Sequence, residues 1–526
     1  MSEKVQFRGQ GTVLSRMPSW CVCVGLVGSG LGLLSYFRSV DLDLFHEMAW
    51  FREALTLRAI PREDVFAYTP TVSPVVHHEW GTGAITYLLT VTLGTGAWGL
   101  ALLRILLLAG VAFLCIAIAR RRGAGVRELV AAAPVGIMMM LPGLSPVRAH
   151  MFTFLLLAVL LYVLERERHD VPIWALAWIP LCIVWVNVHG GVVVGIGMLG
   201  LYTTERFARS AFTKNLPAAF HETRYLLVSL LLTPALLLIT PFGWDYFPYL
   251  WHAIQMDRPM ISEWSPLWQV GFGKIGLPVF LAALLATGYS IRNFPHWRSS
   301  LGLSMVLVAA VFALQSVRLL PLFAIVWTAY VPAALTSTPL STPIRVWWER
   351  YRFAISAGFL CIGVLGLWRA SHHNPFAVIV PGTPEITSNF PVGAVEYLAT
   401  QGFQGNLMTP FAAGAYVSWH LYPAVRVGLD SRYEVAYPPA FVEEALAVYR
   451  GDADWEGFLD QYPTHAILTP ALGSLDSVLV DAAAQGDTRW IEVYRDDAYG
   501  IFARDDRAPT MPVVDHRGKM IRGSFP

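Results

Sequence analysis

Apolar runs about as long as a membrane is thick recur through the first 368 residues, and they constrain the fold more than any other feature of this sequence. A helix needs roughly 20 apolar residues to cross the hydrocarbon core of a bilayer. The chain is 55% hydrophobic and 14% charged, which is typical of a polytopic α-helical membrane protein. We predict about 11 transmembrane helices from runs near that length. The runs are 19–37, 97–119, 128–143, 150–166, 172–188, 191–205, 224–242, 276–291, 300–317, 318–335 and 350–368.

Basic residues are concentrated in five loops between these runs, and the positive-inside rule uses them to orient the chain. All five lie on the cytoplasmic side if the N-terminus is cytoplasmic and the short run 81–93 does not cross the membrane. We therefore predict that 81–93 is a juxtamembrane or re-entrant helix, in a multi-pass protein of a bacterial-type inner (plasma) membrane. The five loops are 120–128, 165–170, 205–215, 291–298 and 344–352.

The N-terminus and the cysteines narrow the class further. Lys4, Arg8 and Arg16 precede the first apolar run without a small-residue cleavage site, which favours a retained signal anchor. The five cysteines fall in apolar runs without metal-type spacing, so we expect no disulfide framework and no thiolate zinc site. The net charge of +1 gives no indication of a nucleic-acid partner.

The chain divides into a transmembrane region of apolar runs, residues 1–368, and a C-terminal region of mixed composition, residues 369–526. Strands alternate with helices in the second region, which predicts an extracytoplasmic α/β domain. No Gly-rich loop follows a strand there, so we do not expect nucleotide binding. Either this domain helps to bind an acceptor or it only stabilises the fold. Its predicted strands are 424–430, 464–470, 490–495 and 499–505, and its predicted helices are 440–450 and 475–486.

The first loop, residues 38–96, begins with SVDLDLFHEM (39–48), which gathers four titratable groups just after the first apolar run. From Asp43 to Leu57, apolar and polar positions recur with helical spacing, which predicts an amphipathic helix lying on the outer leaflet. Its apolar side would carry Leu44, Phe45, Met48 and Leu55, and its other side Asp43, His46, Glu47 and Trp50. Its carboxylates should face water or a shared cavity. Pro61 ends this helix, because proline cannot continue the backbone hydrogen bonding.

The N-terminal third carries several motifs in a recognisable order. An acidic pair and an amphipathic helix are followed by a PRED turn (61–64), by HHEW (77–80) heading a short helix, and by LGTGAWGLALLRILL (93–107). This layout resembles integral-membrane glycosyltransferases of the GT-C superfamily, the protein mannosyltransferases and the bacterial aminoarabinose transferases above all. The resemblance implies a polyprenyl-phosphate-linked sugar as donor and a glycan, lipid or protein as acceptor, at the surface of the lipid bilayer.

The same resemblance implies roles for three acidic residues. The catalytic acid of the first loop would fall on Asp41 or Asp43, and the acidic residue heading the second element would fall on Glu79. The sequence departs from the mannosyltransferases, which have adjacent Asp-Glu in place of Asp-Leu-Asp. It also departs from the aminoarabinose type, which has Glu-Lys-Pro where this chain has HHEW.

The acceptor in such a reaction needs a carboxylate to deprotonate or orient it, because a hydroxyl or amide is a poor nucleophile at neutral pH. Asp43 is the first candidate and Asp41 the second. Two carboxylates this close together near a low dielectric should have pKa values pushed apart. The alternative for Asp41 is that it caps the amphipathic helix, since Asp is a favoured N-cap.

Cationic groups must stabilise the phosphate that leaves. Arg148 in SPVRAH and Arg318 in QSVRLLPLF stand at outer helix ends, and Arg258 in a long aromatic loop is a third candidate. Arginine binds phosphate through a bidentate fork. The alternative is that these side chains only snorkel to the membrane interface. In the same long loop, Glu263 is a candidate second acid.

Several histidines complete the predicted site. Asn187 and His189 in WVNVHGG end an apolar run before two glycines, and they either line a cavity or pack the fold. His46, His78 and His150 are candidate ligands of a divalent metal ion, because imidazole with carboxylate suits zinc or manganese. No His-Glu-x-x-His spacing is present, so the alternative is that they hydrogen-bond loops or sugar hydroxyls.

Two classes of function remain open. One is a glycosyltransferase acting on the extracytoplasmic side, and the other is a transporter, flippase or assembly subunit for lipid-linked glycans. Transporters tend to show internal repeats and charged or broken helices near the membrane midplane. The sequence shows neither, and its polar groups are concentrated at one surface, which favours the enzyme.

Overall fold

The computed structural model of the chain is predominantly helical, with a small sheet near the C-terminus. It describes residues 19–36, 39–144, 146–169, 171–256, 261–269, 273–293, 301–373, 390–452, 454–519, 521, 523 and 525–526. The helices up to residue 373 are α1 (Ser19–Tyr36), α2 (Asp43–Leu57), α3 (Trp80–Tyr87), α4 (Gly96–Arg121), α5 (Val126–Met140), α6 (His150–His169), α7 (Trp178–Val188), α8 (Val192–Thr213), α9 (Leu216–Leu237), α10 (Tyr246–Gln255), α11 (Gly273–Asn293), α12 (Leu303–Gln315), α13 (Leu320–Leu335) and α14 (Ser341–His373). Those that follow are α15 (Val392–Thr400), α16 (Gly414–Leu421), α17 (Tyr433–Ala436), α18 (Pro439–Arg450), α19 (Trp455–Gln461) and α20 (Ser474–Ala484). The strands are β1 (Ser39–Val40), β2 (Pro146–Val147), β3 (Gly405–Met408), β4 (Val425–Val427), β5 (Ala466–Pro470), β6 (Trp490–Arg495), β7 (Tyr499–Arg504) and β8 (Val514–Asp515).

Within the described ranges, five helical segments are long and apolar enough to cross a membrane. They support a multi-pass helical membrane protein, but the predicted total of about eleven spans is not confirmed. One reason is that α6 runs on into the charged turn Glu165–Arg168, so its length is not apolar throughout. The five segments are Gly96–Arg121, Val126–Gly143, Ile275–Asn293, Val317–Leu335 and Ser341–His372, and the shorter apolar helices are Pro172–Val188 and Leu303–Gln315.

Helix α13 is the centre of the helical part, because every residue in it except Thr328 is buried. It contacts α4, α5, α6, α11 and α12. Its position places Arg318, which lies two residues before its start, at the end of a rigid buried element. The first helix, α1, packs along α14, with Gly28 directly against the backbone of Gly363.

Helix α2 begins and ends at the predicted residues, but its surroundings differ from the prediction. Its polar residues His46 and Glu47 are buried along with the apolar Leu44 and Phe45, whereas Leu55, predicted on the apolar face, is 51% exposed. The reason is that α2 is covered by protein, by α3 on one side and by α16 on the other. The prediction of a helix lying on the outer leaflet is therefore wrong for most of its length.

The C-terminal sheet has the strand order β4-β3-β5-β7-β6-β8 and is mixed, with parallel pairs at β3–β4 and β3–β5 and antiparallel pairs at β5–β7 and β6–β7. The predicted strands 464–470, 490–495 and 499–505 are confirmed as β5, β6 and β7, and 424–430 contains the shorter β4. Strands β3 and β8 were not predicted. The sheet is consistent with the predicted C-terminal α/β domain, whose boundary at 369 stays a prediction.

Segment 64–72 of the first loop lies against the edge of this sheet. The N–H of Val427 in β4 donates to the carbonyl of Phe66 at 3.0 Å, and the N–H of Tyr68 donates to the carbonyl of Val427 at 3.2 Å. The first loop thus extends the sheet beyond β4, and α2 is joined to the C-terminal region through its own loop.

Candidate functional site

The short parallel pair β1–β2 brings the start of the first loop to the residues before α6. Val40 pairs with Val147, and the N–H of Asp41 donates to the carbonyl of Val147 at 3.2 Å. Because Arg148 follows Val147 directly, this register places its side chain beside Asp41 and Asp43, which are more than 100 residues away in the sequence.

Arg148 is the centre of the resulting charge cluster. Its Nη2 donates to Asp43 Oδ2 at 2.9 Å, its Nε lies 3.6 Å from Asp41 Oδ2, and its Nη1 donates to Glu263 Oε2 at 3.3 Å. Arg318 Nη1 lies 3.9 Å from the same Glu263 oxygen. The structure therefore brings together five of the predicted site residues. Glu263 is the most exposed of the five, at 43% of its side chain, and it lies between two guanidinium groups.

The two aspartates of the cluster have different surroundings. Burial raises the pKa of Asp41 to about 7, with the charge of Asp43 adding to the effect and Arg148 only partly offsetting it. Burial acts in the same direction on Asp43, but Arg148 and His46 outweigh it and hold the pKa of Asp43 below its usual range. Asp43 is thus the ionised carboxylate of the pair. Asp41 Oδ1 also accepts from the N–H of Asp43 at 3.0 Å, but Leu42 is the N-cap of α2 and no side chain caps the helix, so the alternative prediction of Asp41 as N-cap is wrong.

Glu79, at the N-terminus of α3, is held by two imidazoles. His78 Nε2 lies 3.3 Å and His189 Nε2 3.2 Å from Glu79 Oε1. The N–H of Gly191 donates to His189 Nδ1 at 2.8 Å, so the hydrogen of a neutral His189 lies on Nε2 and points to Glu79. Burial raises the pKa of Glu79, but these imidazoles outweigh it and hold the pKa well below its usual range.

Both the oxygen and the nitrogen of the Asn187 side-chain amide form hydrogen bonds with the protein. Its Oδ1 accepts from Trp80 Nε1 at 2.8 Å, and its Nδ2 donates to the carbonyls of Ile183 and Ile239, both at 2.8 Å. Of the two roles predicted for Asn187, these contacts favour packing: it fixes the start of α3 to the end of α7. His189 contacts Glu79, which precedes Trp80 in the sequence, so the hydrogen bonds of Asn187 also help to position the imidazole of His189.

The three predicted metal ligands are not brought together as one set, because His46 and His78 line one cavity and His150 is not among its lining residues. His150 Nε2 lies 3.1 Å from the carbonyl of Gly143, His78 Nδ1 lies 2.6 Å from the hydroxyl of Tyr249, and His46 Nδ1 lies 3.5 Å from Ser431 Oγ. Across the residues that the structure describes, no group of three or more His, Cys, Asp or Glu is arranged to hold a metal ion. The set His46, His78 and His150 therefore does not fit a divalent cation. Arg258 lies outside the described residues.

Two parts of the site were not predicted. Glu47 is buried on α2, and Glu79 is its carboxyl neighbour. Its spacing of four residues from Asp43 puts both on one face of a helix, and this signal could have identified it. The segment Asp430–Val435 of the C-terminal region supplies the other part, because Ser431 lies beside His46 and Val435 lines a cavity next to Glu47. No local pattern in the sequence indicates that contact.

Fold and site together describe a helical protein with apolar segments long enough to cross a membrane and with a carboxylate–arginine cluster. The fold is similar to that of a solved structure, the crystal structure of ArnT from Cupriavidus metallidurans bound to undecaprenyl phosphate. The similarity covers 92% of this chain and 98% of that one, with a TM-score of 0.50 and 13% sequence identity. The resemblance to the aminoarabinose transferases is thereby confirmed at the level of the fold. Protein-family models and curated protein sequences both give no match.

Proposed function

We propose that this protein is a glycosyltransferase that moves a sugar from a polyprenyl-phosphate-linked donor to an acceptor on the extracytoplasmic side of the membrane. The observation that carries the proposal is Arg148, which joins the carboxylates of Asp41 and Asp43 to Glu263 and Arg318 in one cluster. Such a cluster offers the two kinds of group that the reaction needs, a base and a cationic phosphate site. The similarity of fold to a protein solved with undecaprenyl phosphate supports the choice of donor.

The phosphate of the donor would lie between the two arginines. Glu263 is the anion at that position, and it is more exposed than the aspartates on the other side of Arg148. A phosphate offers more acceptor oxygens than a carboxylate and binds guanidinium groups in a bidentate manner. Exchange of Glu263 for the donor phosphate would keep Arg148 and Arg318 paired and would stabilise the negative charge that develops as the phosphate leaves.

Asp43 would orient the acceptor or take its proton. It is held ionised beside Arg148, and a carboxylate in that state can accept a hydrogen bond from a hydroxyl or amide nucleophile. Glu79, ionised and fixed by two imidazoles, would supply a second negative charge near the reacting sugar, where positive charge develops. We assign no role to a metal ion, because the predicted ligands His46, His78 and His150 each contact a hydroxyl or carbonyl group of the protein. A metal requirement stays a prediction, and chelation of divalent ions during the assay tests it.

The proposal is tested with Asp43→Asn and Glu79→Gln in the full chain, reconstituted in lipid. Transfer from labelled polyprenyl-phosphate sugars should fall by about 10²- to 10⁴-fold in both variants, the range for loss of a positioned acid or base. Asp487→Asn is a suitable control, because Asp487 pairs only with the exposed Arg489 on the C-terminal surface. Unchanged transfer by both site variants would remove the assignment. A folded wild type that transfers no sugar but moves the lipid across the bilayer would favour the transporter.

A further inference from the structure

Two residues of α2, Glu47 and Trp50, line the same cavity and carry buried polar atoms that no donor or acceptor of the described chain completes. Among the described residues, no N–H or hydroxyl group donates to either carboxyl oxygen of Glu47, and no acceptor is hydrogen-bonded to Trp50 Nε1. Both residues are buried, at 3% and 2% exposure. The two residues are three positions apart and so lie on one face of the helix. Buried polar groups are nearly always paired in folded proteins, so two orphans in one cavity indicate that a ligand or water completes them.

The cavity has a polar end and apolar walls. Its enclosed space of about 20 Å³ has room for one water-sized group, and it is lined by both Glu47 and Trp50 and by Trp80. Trp80 is fixed by Asn187, and the ring of His77 lies against Trp50 at 4.8 Å between centroids, so the walls are held rigidly. Flat aromatic walls next to a few polar groups are suited to one edge of a sugar ring. The remaining lining residues are His46, His78, Glu79 and Val435.

The geometry also indicates the protonation state of Glu47. An ionised carboxylate buried without a donor is strongly disfavoured, and the polar neighbour of Glu47 is a second carboxyl, Glu79. Glu79 is the one held ionised, by His78 and His189. Glu47 therefore carries the proton and donates it to Glu79. Burial and the charge of Glu79, with Asp43 and Asp41 adding to them, raise the pKa of Glu47 well above its usual range.

A protonated Glu47 that donates to Glu79 keeps one carboxyl oxygen as an acceptor, while Trp50 Nε1–H is a donor. We propose that this cavity is a subsite for one uncharged hydroxyl group of the donor sugar, which donates to Glu47 and accepts from Trp50. An ammonium group cannot accept from the indole, and an ether oxygen cannot donate to Glu47. A phosphate would be repelled by Glu79. This inference rests on the proposed function and adds to it the class of sugar group that is recognised.

The orphan state of both groups separates a binding role from a structural one. Trp50→Phe removes the unpaired Nε1–H together with part of the buried indole ring, so it loses packing but no hydrogen bond of the free protein. Trp178→Phe is the matched control, because Trp178 is also fully buried but its Nε1 donates to Thr233 Oγ1 at 2.9 Å. The first substitution should weaken binding and should lower the melting temperature less than the second, which removes the same ring volume and a hydrogen bond as well. The second should lower the melting temperature without weakening binding.

The experiment measures binding of undecaprenyl phosphate and of undecaprenyl-phosphate glucose, which carries a neutral hexose, to the full chain in nanodiscs. The wild type should bind the glucosylated lipid more tightly than the bare one. Trp50→Phe and Glu47→Met should each reduce that gain by about tenfold, the value of a hydrogen bond in a buried site, while binding of the bare lipid stays within threefold of the wild type. Glu47→Gln should keep most of the gain, because its amide can donate to Glu79 and accept from a hydroxyl.

The inference is overturned if Trp50→Phe and Glu47→Met keep the full gain, in which case the cavity holds only water. A wild type that gains nothing from the hexose, or that gains only from an amine-bearing sugar, overturns it too. Loss of the gain in Glu47→Gln to the same extent as in Glu47→Met would show that Glu47 acts as a carboxylate, against the inference. If the wild type binds neither lipid, the proposed function itself fails. This result is distinguishable from failure of the subsite alone, in which the wild type binds both lipids equally well.

Discussion

Asp41 and Asp43 carry the same side chain two positions apart, and their surroundings still separate their chemistry. Burial dominates at Asp41 and raises its pKa to about 7, whereas at Asp43 the nearby Arg148 and His46 outweigh burial and lower the pKa. The pKa values of two close carboxylates in a low dielectric separate in this way because the repulsion between two negative charges disfavours ionising both. The spacing in the sequence predicted a split, but the positions of Arg148 and His46 decide which aspartate keeps the proton.

Asp41 gives the site a pH dependence near neutrality. Below about pH 7 it is protonated and leaves the charge of Arg148 available to a phosphate; above that pH it ionises and competes for Arg148. We expect the affinity for undecaprenyl-phosphate glucose, a phosphodiester of constant charge, to fall several-fold as the pH rises from about 6 to about 8. Binding measured across that range checks the expectation. Asp41→Asn should abolish most of the slope, and an unchanged slope in this variant would contradict the role of Asp41.

Asp41 also makes the stability of the folded chain depend on pH. Since the pKa of Asp41 is raised in the folded state from its ordinary value of 3.8, the folded chain binds more protons than the unfolded chain between those two values. The contribution of Asp41 to stability is therefore lost as the pH rises through this window.

At the scale of elements, the sequence predicted the helices and strands better than what covers them. Helix α2 was predicted at its observed ends and β5 to β7 within a residue or two, because period-3.6 and period-2 patterns are local signals. The burial of α2 on both sides was missed, since it depends on α16, more than 350 residues further along. The pairing of Asp43 with Arg148 likewise depends on the β1–β2 register, which two-residue strands do not reveal in a sequence.

The packing of α1 on α14 depends on glycines and can be tested with a matched pair. A Cβ on Gly25 would lie 2.5 Å from the carbonyl oxygen of Phe359, and one on Gly28 would fall on the backbone of Gly363, whereas a Cβ on Gly30 would meet nothing within 4 Å. Gly28→Val should therefore lower stability by about 1–3 kcal/mol through overpacking. Gly30→Val, on the same helix, should change it by less than about 0.5 kcal/mol. Unfolding of the purified protein in detergent measures both, and equal effects would contradict the packing.

In the molecule as a whole, the cavity beside Glu47 is lined by residues of both the first loop and the C-terminal region. Arg432 is fully buried and forms ion pairs with Asp64 of the first loop and with Asp430 beside it. The same turn brings Ser431 to His46. A composition change near residue 369 predicts a separate domain, but it carries no information about this docking, because the contacts join residues whose local patterns are unrelated. The C-terminal region therefore contacts the candidate site directly, through Ser431 beside His46 and Val435 at the cavity.

The buried Arg432 should be the residue on which this docking depends most. Arg432→Met would leave Asp64 and Asp430 buried without their cation, and breaking a buried pair in this way costs about 3–5 kcal/mol. Asp64→Asn added to Arg432→Met should recover part of that loss, because it removes one of the stranded charges. Arg450→Met serves as the control, since the Arg450–Asp452 pair is more than half exposed on both sides and should contribute less than about 1 kcal/mol.

Hydrogen exchange of segment 64–72, which hydrogen-bonds to β4, should become faster in Arg432→Met and stay unchanged in Arg450→Met. Equal stability and equal exchange in the two variants would show that the first loop holds its position without the C-terminal region, and the shared site would then have to be abandoned.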